Sequence, residues 1–116
     1  MFSSTSHFNL SSIKRLVGED PAVLNEIMDL ALAEIKDSLA GLQDAFAEKN
    51  IRNLKTTGHK LYGTALTAGM PELAKLANSF ELLNSFDENE VARLLAQTKE
   101  ESDLLFNLVA QARPSF

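Results

Sequence analysis

The stretch from residue 20 to residue 46, DPAVLNEIMDLALAEIKDSLAGLQDAF, decides the fold. It opens on Asp20-Pro21, a carboxylate able to cap free amides followed by proline at the first helical position, where no N–H is needed. Leu24, Ile27, Met28, Ala31, Ile35, Leu39, Leu42 and Phe46 then recur at three-and-four spacing, the single apolar stripe of an amphipathic helix. The stripe predicts a helix from Pro21 to about Glu48, with Gly41 tolerated inside it and Lys49-Asn50 as a turn.

Working outward, the same period continues. Ile51, Leu54, Gly58, Leu61, Ala65 and Ala68 form the stripe of the next helix, which Gly69-Met70-Pro71 stops. Leu73, Leu76, Ala77, Phe80 and Leu83 lie on the one after it, and Asn84–Phe86 reads as a turn. Asp87, with Glu90 three residues on, has capping-box spacing. It opens a last helix carrying Val91, Leu94, Leu95, Thr98, Leu105, Leu108 and Ala112, ended by Arg113-Pro114. Upstream, Asn9 reads as an N-cap, Leu10, Ile13, Leu16 and Val17 as one short stripe, and Gly18 as its stop. Residues 1–8, MFSSTSHF, are unpatterned and read as a loose arm in which Phe8 packs and His7 has no role. No segment alternates polar and apolar residues. The expected fold is all-α: an antiparallel four-helix bundle with a short additional N-terminal helix, one domain over residues 9–113.

Composition narrows the function. At 116 residues the chain supports one core and not two. It has no cysteine, which excludes a disulfide scaffold, a Cys-ligated zinc and a thiol nucleophile. A net charge of −5 argues against nucleic acid as partner. No run approaches the ~20 apolar residues of a membrane span, and Met1–Leu10 holds no apolar signal core, so a small, soluble, intracellular domain is expected. Two histidines without His-x-x-x-His or Glu-x-x-His spacing give no dedicated metal site. No phosphate-binding glycine motif is present.

One residue stands out. His59, within Thr57-Gly58-His59-Lys60-Leu61-Tyr62-Gly63-Thr64-Ala65, lies roughly 130° from the buried stripe of its helix and so faces outward. Arg52, Lys55, Tyr62, Gly63 and Leu66 share its sector. Glycine inside a helix costs about 1 kcal/mol relative to alanine. Gly58 falls on the buried stripe, where close packing accounts for it; Gly63, one turn beyond the histidine, leaves the imidazole open to approach. Lys55 and Arg52 bring positive charge. A neutral imidazole with a free nitrogen lone pair is a nucleophile toward phosphorus. A lone surface histidine is more often only a surface residue, and Lys55 and Lys60 read equally well as solvated charge. Leu32, Leu66 and Tyr62, off or at the margin of their stripes, read either as scattered surface residues or as a docking patch.

The segment His59-Lys60-Leu61-Tyr62-Gly63-Thr64-Ala65 resembles the signature of histidine-containing phosphotransfer (HPt) domains, H-x-L-K-G-S/T/A-A/S. Two more landmarks are similar to that family: Leu16-Val17-Gly18-Glu19-Asp20-Pro21 after a short first helix, and Gly69-Met70-Pro71-Glu72-Leu73 after the histidine helix. The resemblance covers about residues 8–83. It implies that His59 accepts a phosphoryl group from a receiver-domain aspartate and passes it to another, in a phosphorelay, with no kinase activity of its own. It implies no cofactor on this chain, since Mg²⁺ belongs to the receiver. The partners implied are receiver domains of response regulators or of a hybrid histidine kinase. By match, Gly63 is the access glycine, Thr64 and Ala65 fill the small positions, and Glu81 is the acceptor that orients the imidazole. Tyr62 departs from the pattern, standing where the family carries a lysine; Lys60 points about 100° away from His59, so Lys55 is the better-placed cation. Leu32, Leu66 and Arg52 are the expected docking residues. The alternative is a docking module for a receiver or kinase in which His59 is not phosphorylated.

Overall fold

The computed structural model describes residues 7–116. In chain order they form α1 (Leu10–Val17), α2 (Pro21–Ala47), α3 (Ile51–Thr67), α4 (Pro71–Glu81) and α5 (Glu88–Ala112), then a 3-10 turn over Arg113–Ser115. Four helix starts carry side-chain caps. Asn9, Asp20, Asn50 and Asp87 accept from the amides of Ser12, Ala22, Asn53 and Glu90 at 3.1, 2.9, 3.1 and 3.1 Å. α4 has no such cap and begins on Pro71.

The connections are short, so successive helices run antiparallel, and α2 to α5 close a ring in which each helix packs on the next and α5 returns to α2. Ile35, Leu42, Leu54, Leu61, Leu73, Phe80, Val91 and Leu105 are fully buried between them. At about 25 cal/mol per Å² of apolar surface removed from water, this shared core is the main stabilising term. At Gly58 α3 and α4 are in close contact. A Cβ there would sit 2.7 Å from the Phe80 Cβ and 2.9 Å from the Ala77 carbonyl oxygen. Thr98 and Ser102, buried on α5, satisfy their hydroxyls inside the helix by donating to the carbonyls of Leu94 and Thr98 at 2.7 and 2.8 Å.

α1 closes one end of the bundle. The Asn9 amide donates to the Gly69 carbonyl at 2.8 Å, and Ile13 lies against Gly69 in the α3–α4 turn. Gly69 has φ +71°, and a Cβ on it would meet the Asn9 carbonyl at 2.7 Å, so only glycine fits. The stripe expected of α1 is split: Leu10 and Ile13 are buried, whereas Leu16 is 71% and Val17 40% exposed. Only the first half of the helix is covered by the bundle.

The N-terminal segment also differs from expectation. Residues 1–6 of the arm lie outside the described residues. Phe8 is buried, as expected, but His7 is not idle: its Nδ1 lies 2.8 and 3.0 Å from the two carboxylate oxygens of Glu101, a nearly buried residue of α5. Ninety-four positions separate the pair, a span over which helical periodicity carries no information.

Candidate functional site

α3 places His59 by a simple division of its faces. Leu54, Gly58, Leu61 and Ala65 turn into the bundle. His59, one position after the packing glycine, is thereby turned out, with 73% of its side chain exposed. Gly58 brings α4 close enough for Glu81 to reach it. Glu81 Oε2 lies 2.7 Å from His59 Nδ1. An ionised carboxylate can only accept, so Nδ1 carries the proton and donates. In the neutral ring the lone pair is then on Nε2, the nitrogen away from Glu81. No atom comes within 4 Å of a Cβ built on Gly63, so the space one turn along from His59 is open. The arrangement is an oriented, solvent-facing imidazole whose unprotonated nitrogen is accessible.

The cations lie elsewhere than the sequence suggested. Lys55 is turned toward α4, where its ammonium donates to the carbonyls of Glu81 and Leu83 at 2.8 and 2.6 Å. The first is an orphan carbonyl at the C-terminus of α4, which attracts a cation, and the second lies two residues beyond the helix end. Lys60 reaches the other way, to Glu34 of α2 at 3.6 Å. Arg52 is exposed two turns before His59. Tyr62 is half-buried against the core. Thr64 donates to the Lys60 carbonyl at 3.2 Å and lines a groove rather than the imidazole.

That groove, of about 530 Å³, runs between α2 and α3. Ile27, Leu30, Ala31 and Glu34 form one wall, and Lys60, Gly63, Thr64 and Thr67 the other, each at helical spacing. Leu66, 53% exposed, lies on the His59 face one turn past Gly63. Leu32, expected to dock a partner, does not line the groove: it is partly buried against the core, two positions along α2 from Leu30 and so on another face. Leu30 (63% exposed), Leu16, Val17, Val23, Leu82 and Leu104 are exposed apolar residues that sequence reasoning missed. Their signal was weak, because a stripe that meets a partner has the same period as one that meets the core.

Among the described residues, no group of three or more His, Asp or Glu could hold a metal ion. No helix among them is long and apolar enough to cross a membrane.

A ring of antiparallel helices thus presents one oriented histidine on an outer face. A family model for the Hpt domain matches residues 26–113. The match covers most of the chain, and the protein belongs to the Hpt domain family. It is a phosphotransfer histidine module of two-component signalling, a class that works with receiver domains. No curated protein and no solved structure matches the chain significantly.

Proposed function

We propose that this chain is a phosphorelay carrier, with His59 as its phosphoacceptor. One observation carries the reading: the 2.7 Å bond from His59 Nδ1 to Glu81, which leaves Nε2 bare on an exposed face. The Nε2 lone pair attacks the phosphorus of an aspartyl phosphate on a receiver domain. An N–P bond forms, the P–O bond to the aspartate breaks, and the carboxylate leaves with the electron pair. No proton has to leave Nε2, because it carries none. Nδ1 keeps its proton, and Glu81 balances the positive charge the ring acquires. The reverse step, onto a second receiver's aspartate, uses the same geometry.

The chain acts without kinase activity of its own, as a cytoplasmic monomer, and Mg²⁺ enters with the receiver. The receiver docks over Gly63, where a backbone can approach closely, and contacts Leu66, Leu30 and the apolar residues at the α1–α2 turn. Arg52 and Lys60 flank this face.

The test is transfer from a phosphorylated receiver to this protein, beside His59→Gln. An acid-labile, alkali-stable adduct of one phosphoryl group that is lost in the variant supports the carrier. Receiver binding without any adduct supports a docking module instead.

A further inference from the structure

The ammonium of Lys55 is held one helical turn from His59, yet it is directed at the backbone end of α4. One of its two acceptors is the carbonyl of Glu81, the same residue whose carboxylate meets His59 Nδ1. The other is the carbonyl of Leu83. Between them these bonds fasten the end of α4 and the chain just after it to the α3 turn that precedes the histidine. Phe80 and Leu83 are buried on either side of Glu81, and Asn84 and Ser85 follow as exposed turn residues, so the Lys55 bonds act on the Glu81 main chain at the edge of the core. The contact is partly buried, which limits competition from water.

We propose that Lys55 is a positioning residue for His59, acting through Glu81, rather than a cation that neutralises a phosphoryl group. By fixing the Glu81 main chain it sets where the Glu81 carboxylate can reach. That in turn holds the imidazole in its Nδ1–H form, with Nε2 free. The inference rests on the carrier reading for its consequence in transfer, but its structural core concerns the ring proton alone.

Two measurements separate these levels. The first is the ¹⁵N spectrum of the His59 ring in the unphosphorylated protein, at a pH where the ring is neutral. The wild type is expected to show the Nδ1–H tautomer. Lys55→Met is expected to move the ring toward a mixture with Nε2–H, as Glu81→Ala does, and Lys55→Arg to restore the wild-type spectrum. An unchanged spectrum in Lys55→Met overturns the proposal. Lys55→Gln, polar but too short to span both carbonyls, replaces Lys55→Met if that variant does not fold.

The second is a double-mutant cycle on transfer from a phosphorylated receiver. Lys55→Met alone is expected to slow transfer about tenfold, a size found for residues sharing one hydrogen-bonded network, and to have little further effect in Glu81→Ala. An equal slowing in both backgrounds means that Lys55 acts directly on the phosphoryl group, which also overturns the proposal. If the wild type accepts no phosphoryl group at all, the carrier reading fails, and the tautomer measurement still decides the role of Lys55.

Discussion

Two histidine–glutamate pairs in this molecule have nearly the same bond and opposite settings. His59 Nδ1 lies 2.7 Å from Glu81, and His7 Nδ1 2.8 Å from Glu101. The side chains of the first pair are 73% and 33% exposed; those of the second are 38% and 10% exposed. In the first, both partners sit on adjacent helices and the bond orients a ring that faces solvent. In the second, the bond spans the molecule and ties the segment before α1 to a carboxylate on α5. The bond does not assign the role. What surrounds the far nitrogen and the carboxylate does: open space at Gly63 for His59, and the body of the bundle for Glu101.

The comparison is broken most sharply by removing each pair in turn. His59→Gln is expected to abolish phosphoryl transfer while stability changes by no more than about 0.5 kcal/mol, as for other exposed positions, measured by urea unfolding beside the transfer assay. A variant that still accepts a phosphoryl group would place the nucleophile elsewhere. Gly63→Leu comes next. A Cβ at this position meets nothing within 4 Å and the side chain beyond it enters an open groove, so the fold should tolerate it, and the helix gains about 0.5–1 kcal/mol from the loss of glycine. Receiver binding, followed by titration calorimetry, should weaken about tenfold or more because the leucine occupies the partner's space. Unchanged binding would move the docking face off α3.

The second pair should answer in the other currency. Glu101→Ala is expected to lower unfolding stability by about 2 kcal/mol, the size for losing a hydrogen bond to a charged group at a nearly buried site. Transfer per folded molecule should be unaltered. The smallest effect is expected for His7→Gln, about 1 kcal/mol or less, since the half-exposed partner can be replaced in part by water. Slowed transfer in either variant would mean that the two pairs are coupled, and that the fold does not separate their roles.

The parts of the molecule legible in the sequence are those governed by local physics. Asp20-Pro21, Asn50, Asp87 and Gly69 set helix ends within a turn of chain, and each does so in the structure as its side chain or φ angle requires. The outward direction of His59 and the inward one of Gly58 follow from the same 100° step. Long-range pairings were not legible. Nothing in a helical period links His7 to Glu101, or turns Lys55 toward the carbonyls of α4 rather than toward the imidazole. The α1 stripe shows a third limit. Leu16 and Val17 carry the period of a buried face, but α1 is covered only over its first half, and a stripe does not say how far its cover extends.

The openness around Gly63 has a consequence for timing. On the proposed reading, a group carried on Nε2 of His59 meets bulk water on a ring whose side chain is 73% exposed, beside the open position at Gly63. How long such a mark persists is then set by the medium more than by the protein, in the manner of a capacitor that discharges through its surroundings. In a relay of the kind proposed, delivery would have to outrun that leak, which would place the demand for speed on encounter with a receiver. A message held this way is short-lived unless it is handed on.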